Sequence, residues 1–90
     1  MTVQINLPQS MQHVADNKKV VEVSGGTVGE CLDALVVRYP ELKSVVFDKK
    51  GKLYGYLEIF VNNKSAYPRE LFRRVADGDK INIVNIIAGG

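Results

Sequence analysis

The stretch Asp77-Gly78-Asp79-Lys80-Ile81-Asn82-Ile83-Val84-Asn85-Ile86-Ile87-Ala88-Gly89-Gly90 decides how the rest of the chain is read. Asp77-Gly78-Asp79 is a turn signal. The run Ile81 to Ile87 is aliphatic and β-branched, the composition of a strand. Chain ends are usually polar and frayed, so a strand that reaches almost to the last residue has to be held by the fold itself. Gly89 and Gly90 lack a Cβ and can lie flat in a narrow channel. The carboxyl carbon of Gly90 is unhindered, which suits a group that another enzyme must reach. The competing reading is a truncation or cloning remnant. Two random positions would both be glycine only about 0.5% of the time, which favours a tail that begins at a fixed place.

Working outward, the first strand mirrors the last. Val3, Ile5 and Leu7 alternate with Thr2, Gln4 and Asn6, a period of two with one buried face, and Pro8 ends the ladder. Residues 9–18 are polar apart from Met11, Val14 and Ala15 and read as a loop. A second strand, Lys19 to Ser24, follows, and Gly25-Gly26 turns the chain. Thr27 and Glu30 stand at capping-box spacing. Behind them Val28, Cys31, Leu32, Leu35 and Val36 form one apolar stripe of a helix, which Pro40 ends near Arg38 or Tyr39.

Pro40 to Phe47 reads as a short helical turn burying Leu42, Val45 or Val46, and Phe47. A charged turn, Asp48 to Lys52, leads to Leu53. Tyr56 to Val61 is the third strand, with Leu57, Ile59 and Val61 on one face and Tyr56, Glu58 and Phe60 on the other. Phe60 is therefore a candidate partner contact. Asn62-Asn63-Lys64 is a hairpin turn, because Asn tolerates left-handed angles. Lys64 to Tyr67 is a short edge strand, and Pro68 to Phe72 a helical turn that places Leu71 and Phe72 inward.

Strand, strand, helix, strand, short strand, strand is an α+β order. The helix stripe needs a sheet to cover, and burial is best when the first and last strands lie parallel at its centre. That arrangement is the ubiquitin-like β-grasp, a mixed sheet of four to five strands with one main helix across it. A ferredoxin-like sandwich needs a second comparable helix, and the segment after Pro40 is too short. The reading is one domain over residues 1–90, with 88–90 as a flexible diglycine tail.

Composition narrows function. Ninety residues, 46% of them hydrophobic, bury roughly 60–65% of the unfolded surface, and an enclosed catalytic cleft would compete with the core for side chains. Twelve basic and ten acidic residues give a net charge of +2, without the dense basic stripe of a nucleic-acid binder. No signal peptide or membrane-length apolar run is present, so the expectation is a cytoplasmic protein that engages neither nucleic acid nor membrane.

Several residues invite sharper readings. His13 has no second histidine and only a distant cysteine, too few ligands for zinc, and is taken as a surface residue. Cys31 lies in the helix stripe and reads as a small buried hydrophobe rather than a nucleophile, which needs exposure and a lowered pKa. Gly25-Gly26 is not a phosphate loop, because no Lys-Ser/Thr pair follows. Asp77, Asp79, Glu58 and His13 converge on no evident cleft, which argues against an independent enzyme.

The chain resembles the ThiS/MoaD family of ubiquitin-like sulfur carriers. The residues that carry the resemblance are Val3-Ile5-Leu7, Thr27-Val28-Gly29-Glu30, Phe60-Val61-Asn62, Ala76-Asp77-Gly78-Asp79 and the final Gly89-Gly90. Leu7-Pro8 and Gly51-Lys52-Leu53 look most like the cysteine- or methionine-biosynthesis branch. The molybdopterin and thiamine branches are alternatives, although Asn85 stands near where many molybdopterin-branch members carry proline. The resemblance implies no bound cofactor. It also implies that an E1-like adenylating enzyme of the ThiF/MoeB type spends ATP on the Gly90 carboxylate, and that a sulfur donor makes it a thiocarboxylate. Ala88 and Gly89 would thread into partner active sites, and Phe60 and Ile87 would dock the partner. A sulfur-accepting biosynthetic enzyme and a metalloprotease that trims or releases the tail complete the implied partners. Two other readings are a modifier joined to lysines through Gly90, and a binding module whose diglycine is incidental.

Overall fold

The computed structural model describes residues 2–86. Its sheet has five strands: β1 (Val3–Asn6), β2 (Val20–Val23), β3 (Leu57–Val61), β4 (Lys64–Ser65) and β5 (Lys80–Asn85), in the spatial order β2-β1-β5-β3-β4. The first and last strands are parallel neighbours at the centre, with Ile5 opposite Ile81. The other pairings are antiparallel. This is the β-grasp arrangement expected from the sequence.

Alternation sets the faces. Val3, Ile5, Val21, Ile59, Val61, Ile81 and Ile83 are buried on one face, where the main helix α2 (Val28–Arg38) lies across them with Val28, Cys31, Leu32 and Leu35. The capping box forms: the Glu30 amide donates to Thr27 Oγ1 at 3.1 Å, and the Gly26 amide donates to Glu30 Oε1 at 2.7 Å. A 3-10 turn, Pro40–Leu42, and a short helix, α3 (Lys43–Val46), then bury Leu42 and Val46 and leave Val45 at the surface. Phe47 is buried as expected.

Four expectations are corrected. Residues 9–18 are not only loop: α1 (Gln9–Gln12) carries Met11 into the core, and Ala15 is fully buried. Met11, Val14 and Ala15 are the whole signal, and polar neighbours mask it. Phe72 does not point inward but is 76% exposed. It ends a three-residue 3-10 turn, Glu70–Phe72, too short to bury two consecutive side chains, and Leu71 takes the place against the core. The edge strand β4 is only two residues, and β5 closes at Asn85 rather than Ile87.

The start of α2 is fixed against the 70s segment. The Val28 amide donates to the Arg73 carbonyl at 2.9 Å, and the Val75 amide to the Gly26 carbonyl at 3.1 Å. Gly29 sits at this seam, where a Cβ would lie 2.9 Å from the Leu71 carbonyl oxygen. Replacing a helical glycine with alanine ordinarily gains up to about 1 kcal/mol, whereas overpacking costs about 1–3 kcal/mol. The clash is with backbone, so overpacking should win. Gly29→Ala is expected to lower stability in urea denaturation. An unchanged or higher midpoint would mean that the Leu71 segment yields freely.

Candidate functional site

The candidate site is the place where the chain leaves the sheet, and it is positioned by the register of β5. At the start of β5, Asp79 closes a turn with Gly78 in the left-handed region at φ +87°. Asp79 Oδ2 accepts from the Ala76 amide at 2.8 Å, and Oδ1 accepts from Asn62 Nδ2 at 3.0 Å. The Asn62 side chain in turn accepts from the Lys80 amide at 3.0 Å. Asn62 and Asn63 both have positive φ, the hairpin geometry their identity suggested. The same turn holds the other terminus: the Thr2 amide donates to Asp77 Oδ1 at 2.7 Å, and the Gly78 amide to the Thr2 carbonyl at 2.8 Å.

At the far end of β5 the Ile86 amide donates to the Tyr56 carbonyl at 2.8 Å. Tyr56 stacks on Tyr54, ring centroids 5.0 Å apart. The chain is thus directed to one point beside β3. Ile87, Ala88, Gly89 and Gly90, the residues expected to set the exit, thread and carry the reacting group, lie outside the described residues.

Phe60 is half-buried on the sheet face opposite α2. Register pairs Phe60 with Asn82 and Glu58 with Val84, so Val84 is the diagonal neighbour of Phe60, within reach of an aromatic side chain. Val84 and Ile86 are both exposed. Together Phe60, Val84 and Ile86 give the outer face an apolar strip leading to the tail. Val84 and Ile86 are additions to the expected site. Their signal was phase: Ile81 and Ile83 face the helix, so Val84 and Ile86 in the same run must face away.

The remaining reactive side chains are placed plainly. Cys31 is fully buried, and its thiol pKa is raised, first by burial and then by the neighbouring Glu30 carboxylate, which disfavours the thiolate a nucleophile needs. His13 is exposed. Among the described residues no cluster of His, Cys, Asp or Glu could hold a metal ion, and no helix is long and apolar enough to cross a membrane.

A β-grasp domain that ends on a central strand parallel to its first is the scaffold of ubiquitin-like carriers and modifiers, and comparison with known proteins agrees. The chain matches the ThiS family over residues 5–90 and belongs to it. It is 29% identical over 93 residues to sulfur carrier protein CysO of Mycobacterium tuberculosis, covering 100% of both chains. It is 37% identical over 82 residues to small archaeal modifier protein 1 of Haloferax volcanii, covering 89% of this chain and 91% of the relative. Among solved structures, the BexX/CysO complex of Amycolatopsis orientalis contains a chain with TM-score 0.87 and 29% identity, covering 98% of this chain and 99% of that one. These relatives are small carrier and modifier proteins.

The Asp79 network carries a pH signature. Its carboxyl pKa is lowered, first by the Asn62 hydrogen bond, then by the Ala76 amide, with a smaller contribution from the Arg73 charge. A folded pKa below the unfolded value, about 3.9 for Asp, adds stability above that value that is lost as pH falls through the folded one. Asp79→Ala should therefore be less stable than the parent at pH 7. In urea titrations the gap should shrink steadily below about pH 4; a gap that widens on acidification would contradict this account.

Proposed function

We infer that the protein is a sulfur carrier of the cysteine-biosynthesis type, whose reacting group is the Gly90 carboxylate. The observation that carries the reading is the full-length similarity to a CysO sulfur carrier, together with the chain's own Gly89-Gly90 ending. The domain spans residues 1–90 and uses 88–90 as its tail. Similarity to a CysO chain from a complex with a second protein supports a role that depends on partners.

The chemistry needs activation, because a carboxylate is a poor electrophile. An E1-like adenylating enzyme joins the Gly90 carboxylate oxygen to the α-phosphorus of ATP and releases pyrophosphate. A donor supplying sulfur at the sulfide oxidation level then attacks the acyl carbon and expels AMP, leaving a thiocarboxylate without net redox change. A sulfur-accepting biosynthetic enzyme consumes that soft nucleophile, and a metalloprotease acting at the tail would restore the carboxylate. Ala88 and Gly89 form the narrow stem, Ile87 sets its exit, and Phe60 with Val84 and Ile86 docks the activating enzyme. The molybdopterin and thiamine branches would share every step at Gly90 and differ in the acceptor.

A second reading is supported by the 37% identity to a small archaeal modifier. In it the same activated Gly90 is captured by a lysine amine, forming an isopeptide bond. The two readings diverge only after adenylation.

Intact mass spectrometry of protein isolated from its host should find a fraction heavier by one oxygen-to-sulfur replacement, mapped to Gly90. That fraction should vanish when Gly90 is deleted. Conjugates bearing Gly90 on lysine, with no thiocarboxylate even when ATP, the adenylating enzyme and a sulfur donor are supplied, would favour the modifier. Replacing Phe60 and Val84 together with alanine is expected to slow sulfur loading by about tenfold or more, as removal of an interface anchor does, while the fold persists. Unchanged loading kinetics would remove these residues from the docking face.

A further inference from the structure

Three exposed large hydrophobic side chains, Tyr67 (72%), Phe72 (76%) and Ile86 (55%), border a single groove. One compartment, about 410 Å³, is lined by Leu53, Tyr54, Glu58, Tyr67, Glu70 and Ile86 among others. The next, about 350 Å³, is lined by Lys52, Leu53, Arg69, Glu70, Leu71 and Phe72 among others. Leu53 and Glu70 line both, so the two compartments adjoin. The groove runs from Ile86, the last described residue, to Phe72.

Its walls are preformed. Leu53 and Leu71 pack against the core, and the Phe72 and Arg73 amides donate to the carbonyls of Arg69 and Glu70 at 3.0 and 3.2 Å. The Arg69 guanidinium lies over the Phe72 ring, 5.7 Å from its centroid, which holds the aromatic outward. Large apolar side chains left in water forgo the gain of burial, and three of them around one groove make a contact surface.

The charges are divided. The compartment at Ile86 carries Glu58 and Glu70 and has no Lys or Arg among its lining residues. The compartment at Phe72 carries Lys52 and Arg69 besides the shared Glu70, and so is net positive where the other is net negative. We propose that this groove binds an extended segment of a partner protein that has aliphatic side chains between a basic end, seated at Glu58 and Glu70, and an acidic end, seated at Lys52 and Arg69. Burial against Tyr67, Phe72 and Ile86 supplies affinity, and the divided charge sets direction. A nucleic-acid strand fits poorly, because its phosphates would meet Glu58 and Glu70. The groove functions without any reaction at Gly90.

The test is amide NMR of the isotope-labelled full chain, titrated with three synthetic peptides that share a Leu-Ala-Leu-Ala-Leu core. One has a Lys-Lys end and a Glu-Glu end, one has lysines at both ends, and one has glutamates at both. The bipolar peptide should bind tightest and shift residues 52–54, 67–72 and 86. Phe72→Ala should weaken it by about tenfold or more, and Glu70→Lys should move preference toward the glutamate-ended peptide. Should Phe72→Ala fail to fold, Tyr67→Ala carries the same expectation. Deleting Gly90 should change nothing, which separates this proposal from the carrier reading. Equal binding of the three peptides, shifts elsewhere, no shifts at millimolar peptide, the same shifts from polyuridylate, or their appearance through self-association alone would each overturn it.

Discussion

The structure depends on the parallel pairing of β1 with β5. Ile5 and Ile81 stand opposite each other at the sheet centre, both fully buried, and every other strand is added to this pair. The pairing joins residues about as far apart in sequence as the chain allows; the Thr2–Asp77 hydrogen bond closes a separation of 75 residues. Closing a loop of that length is entropically costly, and the gain comes only when α2 covers both strands. The last strand is therefore secured only in the completed domain, and the tail has a defined origin only when the whole core is in place.

The same pairing divides the sheet into two faces of different character. Ile81 and Ile83 lie on the helix face and are buried, so they are committed to stability. Asn82 and Val84, one residue out of phase, lie on the outer face beside Phe60 and Glu58. Because the period is two, a slip of one residue would exchange these sets. The Asp79–Asn62–Lys80 network at one end of β5 and the Ile86–Tyr56 bond at the other prevent that slip. Polar groups in a surface turn thus govern where an apolar strip appears on the outer face.

The fold was legible because its central elements carry strong periodic signals. The alternation of Val3, Ile5 and Leu7, the stripe from Val28 to Val36 and the aliphatic last strand all report burial directly. What escaped were segments whose structure is decided by neighbours. Met11, Val14 and Ala15 are only three apolar residues in a polar stretch, and the core, not local propensity, makes α1 worth forming. Phe72 looks like a core residue by composition, yet a three-residue turn has room to bury only Leu71. The outward face of Phe60 was visible from strand phase, and the same phase argument extends to Val84 and Ile86. The groove along Leu53, Tyr67 and Phe72 was not visible, because it joins three segments separated in sequence.

The treatment of the single thiol bears on the chemistry proposed for Gly90. An acyl-adenylate is open to any nearby nucleophile, and a thiolate on the same domain would compete with the sulfur donor by forming a thioester. Cys31 is withheld from that competition by complete burial within the α2 stripe and by a pKa raised through desolvation and Glu30. Its side chain fills space between helix and sheet as a small hydrophobe would. A buried thiol would leave the fate of the activated carboxylate proposed here to a partner enzyme, which is what either a carrier or a modifier requires.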